Sequence, residues 1–428
     1  MFSYDLNPKN KLTEELDLLI KKYNEYKSKG LDLDMSRGKL SKEQLEISSP
    51  MLDILPGDSN FIVDKSDCRN YGLHDGISTM KSIFSRILNV NSDNIFIGGN
   101  SSISMMFDII SLYFTHGVCK EKPWSQQPKV KFLCPVPGYD RHFNILSYFN
   151  IEPILVPMKS DGPDMDIVEE AVRNDESIKG ICCVPKYSNP QGIIYSDEVV
   201  KRFSKLHPRS ADFRIFWDNA YAVHDLTDSK EELLDLMNQC IQNKNEDLPI
   251  FFSSTSKITF PSSGVSALAA SEKNLRQIKN YYNHKTIGFD KLNQLRHAKF
   301  LINYENLLEH MKKHRKLLRP KFQVILNCFA REFSDSNKNL ATWNEPKGGY
   351  FISVDVEQGL AKTVVELCKD AGVKLTDAGA TFPGGIDLED KNIRIAPSYL
   401  PANELNIAVN LFCICVKIAA VRKRLLEN

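Results

Sequence analysis

The chain has 428 residues, of which 42% are hydrophobic and 25% are charged, and this length can bury a sizeable core in two or three domains. Its 55 Lys and Arg residues nearly balance its 54 Asp and Glu residues, so the chain has no excess positive charge for non-specific binding of nucleic acid or an anionic membrane. None of the ten cysteines forms a Cys-x-x-Cys pair, which argues against a zinc ribbon or a redox motif. With no evident secretory leader, we expect a cytoplasmic protein.

The first thirty residues are predicted to form an amphipathic helix, because leucines recur at helical spacing between residues 12 and 20. Gly30 is a favourable stop for this helix. The next segment, LDLDMSRGKL, is predicted to be extended, and it carries two cations that flank Gly38.

The middle of the chain alternates short apolar runs with helical patterns. The predicted strands are Ile95–Ile97, Val130–Cys134, Ile178–Val184, Phe213–Trp217 and Pro249–Phe252, with Pro135 ending the second of them. The predicted helices between them include Met165–Asn174 and Tyr195–Leu206. Apolar strands separated by helices are typical of an α/β protein with a mostly parallel sheet covered on both faces. Ligands of such sheets bind at the carboxyl ends of the strands.

The last third of the chain is predicted to be a smaller α+β domain. A long helical region is predicted from Lys291 to Phe333, and Pro320 is expected to bend it. Strands are predicted at Gly349–Val354 and Ile393–Ala396, and helices at Lys362–Ala371 and Ala402–Leu426. Its apolar run at 408–421 contains Asn and Lys, so we expect a buried helix and not a membrane span.

Polar residues follow the predicted strands at four places. Asp218 comes directly after FRIFW, and Lys257 ends a run of hydroxyl residues after PIFF. A helix N-cap and an exposed loop lysine are the ordinary interpretations of these two residues. The turn SNPQG follows IKGICCV, and the turn GGNSS opens a predicted helix, where free backbone N–H groups could hold a phosphate.

The order of these motifs is more specific than any one of them. Over about residues 35–397, the chain resembles the class I, fold-type I pyridoxal-phosphate aminotransferases. The resemblance lies in the succession of a small-residue turn, Asn-Pro-x-Gly, Asp-x-x-Tyr, Ser-x-x-Lys and a late Arg394. The segments MSRGKL, RNYGLHDG, CPVPGYDRHF, SKITFPSSG, TIGFDKLNQLRH and NIRIAPSYL resemble the aspartate aminotransferase subgroup called type Ic.

The resemblance implies a fold and a division of the chain. A large domain, expected over residues 49–308, would hold a mostly parallel seven-stranded sheet between helices and bind the cofactor. A smaller α+β domain would cover residues 309–428, and an N-terminal segment, residues 1–48, would pack with it. The active sites would lie at the interface of a homodimer.

The resemblance also implies the cofactor pyridoxal 5'-phosphate and roles for named residues. Lys257 would bind the cofactor covalently and move the α-proton of the substrate. Asp218 would pair with the pyridinium nitrogen, which makes the ring a better electron sink. Tyr221 and Asn189 would donate to the phenolate oxygen, and Tyr139 would stack on the ring. The phosphate would be held by Asn100, Ser101, Ser102, Ser254 and, from the neighbouring subunit, Tyr71.

Substrate recognition would begin with Arg394, whose guanidinium would bind the α-carboxylate. The implied reaction transfers an amino group from an acidic amino acid, expected to be L-aspartate, to 2-oxoglutarate with ping-pong kinetics. The substrates would be amino acids and 2-oxo acids, with no metal, nucleic acid or membrane involved.

Two features depart from the family pattern. Many relatives carry a phosphate-binding arginine eight residues after the lysine, where this chain has Val265. The hydroxyl of Ser262 or Ser263, or a cation from elsewhere in the chain, would then complete the phosphate site. The arginine that binds a distal carboxylate has no secure match, so Arg37 and Lys39, on the segment that contains Gly38, are the preferred candidates. Their ordinary interpretation is solvated surface charge.

Other functions are also compatible with the sequence. An aminotransferase of aromatic or broad specificity differs only in its substrate pocket. A cofactor-binding transcriptional regulator needs a DNA-binding module, and no recognition helix is evident before residue 35. A catalytically silent homologue is disfavoured by the intact motif residues. His310 and His314, four residues apart, could share a metal, but a solvated helix face is the favoured interpretation because no third ligand is seen.

Overall fold

The computed structural model describes residues 9–229, 231–333 and 339–427. The helices are α1 Lys9–Lys27, α2 Lys42–Ser48, α3 Ser78–Leu88, α4 Ser102–His116, α5 Asp140–Tyr148, α6 Met165–Asn174, α7 Asp197–Ser204, α8 Leu236–Gln242, α9 Glu272–Lys285, α10 Lys291–Leu301, α11 Tyr304–Glu332, α12 Ala361–Asp370 and α13 Ala402–Glu427. The strands are β1 Leu33–Asp34, β2 Ile62–Val63, β3 Ser66–Asp67, β4 Ile95–Ile97, β5 Lys131–Val136, β6 Glu152–Lys159, β7 Gly162–Pro163, β8 Ile178–Cys183, β9 Arg214–Asp218, β10 Pro249–Ser254, β11 Ser266–Ala270, β12 Ala341–Trp343, β13 Ile352–Val356, β14 Val373–Lys374 and β15 Asn392–Ile395.

A large sheet with the order β4-β11-β10-β9-β8-β5-β6-β7 organises the α/β part of the chain. The five strands from β10 to β6 are mutually parallel, whereas β11 runs antiparallel to both of its neighbours. The two-residue β7 pairs antiparallel with β6 at one edge, so the predicted mostly parallel sheet of seven strands gains a short eighth. Strands β8, β9 and β10 are buried along their whole length, because helices cover both faces.

The prediction that Pro135 ends its strand is wrong, since β5 continues through Pro135 to Val136. Proline has no N–H to give to a neighbouring strand. Residue pairing with β8 ends at Leu133, whereas pairing with β6 continues through Pro135 and Val136. At Pro135, β5 therefore pairs with β6 alone, and the missing N–H is tolerated because β8 no longer pairs with the strand there.

A second, antiparallel sheet with the order β12-β13-β15 belongs to the C-terminal part. The N-terminal segment joins this part, because β1 pairs with β14 and α1 packs against α13. The hydroxyl of Tyr23 in α1 donates to Asp370 at 2.7 Å and also lies 2.9 Å from the carbonyl oxygen of Leu367. The boundary predicted between residues 308 and 309 falls inside α11. Leu307 near the start of this helix packs in the core of the large sheet, and Phe322 packs in the C-terminal core.

The prediction of a solvated face for His310 and His314 is wrong. Their exposed fractions are 6% and 0%, and their Nε2 atoms lie 3.1 Å apart. His310 also contacts the carbonyl of Ile258 at 2.7 Å, and His314 Nδ1 lies 3.1 Å from Nε2 of Gln44. The described residues contain no group of three metal-ligating side chains, so the pair forms a buried polar contact between α11, α2 and the loop after β10.

Helix α13 is long and apolar enough, by length and composition alone, to cross a membrane. In the folded chain, 67% of its most apolar window is buried. It packs between α1, α11 and α12, which confirms the prediction of a buried C-terminal helix.

Candidate active site

The carboxyl ends of β8, β9 and β10 meet at one edge of the large sheet. Asp218 is the last residue of β9, Ser254 is the last residue of β10, and Asn189 lies in the turn after β8. The interpretation of Asp218 as a helix N-cap is wrong, because a turn follows β9 and the next helix begins at Leu236. This edge borders a small cavity of about 80 Å³ that also contacts Lys257 and the N-terminus of α4.

Two polar atoms of this small cavity are buried without a hydrogen-bond partner among the described residues: Oδ1 of Asp218 and Nδ2 of Asn189. A buried polar atom without a partner costs free energy, so such a pair indicates a site for a bound group. The group must donate to a carboxylate and accept from an amide. The other oxygen of Asp218, Oδ2, lies 3.1 Å from Nε2 of His142, and both side chains are 2% exposed.

Lys257 is partly buried between the aromatic rings of Tyr221 and Tyr350. Its Nζ lies 5.3 Å from the centroid of Tyr221 and 6.0 Å from that of Tyr350. Desolvation lowers the pKa of Lys257, Arg394 lowers it further, and Asp218 opposes the shift. The amine is therefore neutral at a lower pH than an exposed lysine, as a nucleophile or a base requires.

The rings around the amine are held in their neutral forms. Burial raises the pKa of Tyr221 well above its usual value and raises that of Tyr139 to about 12. Both phenols therefore remain hydrogen-bond donors at neutral pH. Burial also lowers the pKa of His224, whose Nε2 lies 3.3 Å from the carbonyl of Lys257, to about 3.

The predicted phosphate-site residues of this chain's own cavity lie around the start of α4 and at the end of β10. Ser102 begins α4 with Ser101 as its N-cap, and both border the small cavity with Ser254. Ser256 links the two elements, because its hydroxyl contacts Ser254 at 3.0 Å and the carbonyl of Asn100 at 2.9 Å. Free N–H groups and the helix dipole favour an anion at this position.

A larger cavity of about 580 Å³ lies beside the small one, and the two share Tyr139, Asn189, Tyr221, Ser256 and Lys257. Arg394 borders it with 5% exposure. Its Nη1 lies 2.8 Å from Oδ1 of Asp140 and 3.2 Å from Oδ1 of Asn189. The guanidinium also lies over the ring of Phe351, 4.8 Å from its centroid.

Residues 37–39 border the same larger cavity. A Cβ at Gly38 would meet Phe351 at 2.9 Å, so glycine allows this segment to approach the cavity wall. Lys39 is bound to Asp34 at 2.8 Å, whereas the exposed Arg37 has no side-chain partner among the described residues.

Two further positions concern the phosphate site: Tyr71, and Val265, which stands where many relatives have an arginine. Tyr71 is 76% exposed and borders neither of these two cavities, so its role in a neighbouring subunit stays a prediction. Val265 is 2% exposed and belongs to the core. Near it, Arg296 of α10 borders a polar cavity with Asn100 and Gly264, and its buried Nε has no partner among the described residues.

Sequence reasoning missed several of these neighbours. His142 lies in CPVPGYDRHF, three residues after Tyr139, so its motif was recognised but its contact with Asp218 was not. Asp140 and Arg141 stand in the same motif. Arg296 lies in TIGFDKLNQLRH, and only the packing of α10 on the loop after β10 shows its relation to Asn100.

A family model for aspartate amino-transferases matches residues 8–428. The chain belongs to this family. An aspartate aminotransferase of Corynebacterium glutamicum is 43% identical over 402 residues, which cover 94% of this chain and 92% of that protein. A crystal structure of an aspartate transaminase from the same species superposes with a TM-score of 0.95 at 40% identity, covering 99% of each chain.

The fold and the cofactor follow from this membership. The α-aminoadipate aminotransferase of Thermus thermophilus, solved with N-(5'-phosphopyridoxyl)-L-leucine, shares the fold with a TM-score of 0.72 at 18% identity, covering 96% of this chain and 95% of that one. This chain is a fold-type I transaminase, and its cofactor is pyridoxal 5'-phosphate. The small cavity fits this group, since a protonated ring nitrogen can donate to Asp218 and the ring oxygen can accept from Asn189.

Proposed function

We propose that this aminotransferase moves the amino group of an acidic amino acid, L-aspartate, to 2-oxoglutarate with ping-pong kinetics. The observation that carries the proposal is one continuous site. Lys257, the unpartnered atoms of Asp218 and Asn189, and a cavity with excess positive charge adjoin one another. An acidic amino acid brings two carboxylates to this site, so its charge matches the lining.

The side chains of the small cavity would hold the cofactor. Asp218 would keep the ring nitrogen protonated, with His142 fixing the carboxylate from the other side. Tyr221 and Asn189 would donate to the ring oxygen, and Tyr139 would pack on the ring. When bound, pyridoxal phosphate supplies an electrophilic carbon and an electron sink that carry the amino group between two substrates.

The phosphate would be held by backbone and hydroxyl groups at the start of α4 and after β10. The proposed set comprises Asn100, Ser101, Ser102, Ser254 and, from a second subunit, Tyr71. Because Val265 cannot supply a charge, Arg296 is proposed as the cation of this site. Its buried Nε lies beside the cavity bordered by Asn100 and lacks a partner in the described part of the chain.

Lys257 would act as the general base. Its depressed pKa leaves a neutral amine that would accept the α-proton of the substrate and return it to a carbon of the cofactor. Arg394 would hold the α-carboxylate in a bidentate contact, which fixes the Cα–H bond relative to Nζ. Arg37, Gly38 and Lys39 would close the substrate cavity from the N-terminal side. The first product would leave before the oxo acid enters.

An aminotransferase of aromatic or broader specificity is the second candidate. The observation in its favour is the apolar part of the larger cavity, where Leu40, Leu45 and Phe260 accompany the cations. These side chains could pack against an aromatic substrate. For either specificity, we propose a cytoplasmic homodimer in which Tyr71 completes the partner's phosphate site.

Substrate profiling of the purified holoenzyme tests the proposal. With 2-oxoglutarate as acceptor, kcat/KM for aspartate should exceed that for phenylalanine, tyrosine and alanine by at least tenfold. Parallel double-reciprocal plots would support ping-pong kinetics. Equal or better use of phenylalanine would favour the second candidate and contradict the acidic-substrate assignment.

A further inference from the structure

We propose that Arg141 is the specificity-determining residue that receives the distal carboxylate of the substrate. This inference rests on the proposed function. It concerns the arginine for the distal carboxylate, which has no secure match among the sequence motifs. Arg141 borders the larger cavity together with Lys257 and Arg394. A planar guanidinium with several donors matches a carboxylate in a bidentate contact.

The charges of the cavity lead to this assignment. Besides Lys257, the charged residues that border it are Arg37, Lys39, Arg141, Arg394 and Asp140. Arg394 is bound to Asp140, and Lys39 is bound to Asp34. Among the described residues, the guanidinium groups of Arg37 and Arg141 have no hydrogen-bond or ion-pair partner. Two cations of the wall are therefore available to a ligand.

The position of Arg141 on α5 distinguishes it from Arg37. Arg141 lies in the first turn of α5, between two residues whose side chains are each held by a contact in the site. Asp140 binds Arg394, which would hold the α-carboxylate, and His142 binds Asp218, which would hold the cofactor ring. The backbone of Arg141 is therefore held in place relative to both the proposed α-carboxylate site and the proposed cofactor site. Arg37 lies between β1 and α2, where the carbonyls of Ser36 and Lys39 accept hydrogen bonds from Thr376 and Ser398 of the C-terminal part.

The exposure of the Arg141 side chain suits the proposed pair of substrates. Aspartate and 2-oxoglutarate differ by one methylene in the spacing of their carboxylates, and one site must accept both in turn. A long side chain on an exposed residue, whose neighbours Asp140 and His142 are held by side-chain contacts, can follow this difference. A fully buried guanidinium would favour one chain length.

The test compares four variants of the holoenzyme with wild type: Arg141→Gln, Arg141→Lys, Arg37→Gln and, as a matched control, Arg173→Gln on the exposed face of α6. Two readouts are kcat/KM for aspartate relative to alanine, and the inhibition constant of succinate relative to propionate. Succinate carries two carboxylates and no amino group, so its inhibition measures recognition apart from the reaction. Circular dichroism and cofactor absorbance establish that each variant is folded and loaded.

In Arg141→Gln we expect the aspartate-to-alanine ratio, and the succinate advantage over propionate, each to fall by roughly 10- to 100-fold. Arg141→Lys should recover part of the loss, Arg37→Gln should change both ratios much less than Arg141→Gln does, and Arg173→Gln should match wild type. The inference is overturned if Arg141→Gln stays within twofold of wild type while the wild type favours aspartate. If the wild type itself prefers neither aspartate nor succinate, the proposed substrate class fails first and the inference fails with it.

Discussion

Asp140 and Arg394 form an ion pair in the substrate cavity, with Oδ1 and Nη1 2.8 Å apart and side-chain exposures of 28% and 5%. The carboxylate of Asp140 thus occupies one donor of the guanidinium that we assign to the substrate. A substrate carboxylate must share or displace this contact. Asp140 is therefore a competitor for Arg394 as well as a neighbour of it.

Replacing Asp140 by Asn should strengthen the binding of carboxylates. Because the neutral amide competes less well for the guanidinium, we expect KM for the amino donor to fall by about fivefold, the upper range for a partly exposed pair. The inhibition constant of propionate should fall with it. Asp166→Asn, which removes an exposed partner of Arg202, serves as control. A higher KM in Asp140→Asn would instead assign Asp140 to positioning Arg394.

Most of the large sheet and the residues at its carboxyl edge could be predicted from the sequence. Buried parallel strands are short apolar runs, and Asp218 ends one such strand while Asn189 lies in the turn after another. The ends of strands were less predictable, as Pro135 shows, because the tolerance for a proline depends on which neighbouring strand still needs a hydrogen bond. That information comes from β6 and β8, which are distant along the chain.

Isolated polar residues on helices were harder to interpret. A spacing of four places His310 and His314 on one face of α11, but it does not tell whether that face meets solvent or protein. The face is buried because Gln44 and the carbonyl of Ile258 provide polar partners from distant segments. Arg141 and Arg296 were missed for the related reason that cations from separate elements gather only in the folded chain.

Replacing Lys257 by Ala should abolish covalent retention of the cofactor and lower kcat by at least about 100-fold, as expected for the loss of a general base. The measurement is the mass of the protein after borohydride reduction. Wild type should gain the mass of the reduced cofactor, and Lys257→Ala should not. Lys205→Ala, which changes an exposed lysine after α7, should behave as wild type. Retention of the added mass in Lys257→Ala would refute the assignment.

Replacing Arg296 by Gln should weaken binding of the phosphate group of the cofactor. Because a charge-assisted contact is lost, we expect the dissociation constant of pyridoxal phosphate from the apo-protein to rise by about tenfold. Binding of pyridoxal, which lacks the phosphate, should not change. Arg276→Gln alters an exposed arginine of α9 paired with Glu272 and provides the control. An equal loss for both ligands would show that Arg296 only supports the fold.

Replacing His314 by Gln should reduce the acid sensitivity of folding. Desolvation, assisted by His310 and His224, lowers the pKa of His314 from 6.5 to about 3. Below pH 6.5 the unfolded chain takes up a proton at this residue that the folded chain excludes. The contribution of His314 to the free energy of unfolding is therefore complete above pH 6.5 and is lost as the pH falls towards 3. The loss amounts to ~1.4 kcal/mol per pH unit for one proton.

The measurement is the free energy of unfolding in urea between pH 7 and pH 4.5. Glutamine keeps an amide that can bond with Gln44 but cannot be protonated. The slope of the free energy of unfolding against pH should therefore fall by up to ~1.4 kcal/mol per pH unit, the value for one proton, even if the stability at pH 7 also falls. His207→Gln, at an exposed position after α7, should leave the slope unchanged. His297, whose pKa is lowered by burial to about 4, still contributes in every variant, so a residual slope is expected. An unchanged slope in His314→Gln would mean that the buried pair already accommodates the proton, by sharing it between the Nε2 atoms of His310 and His314.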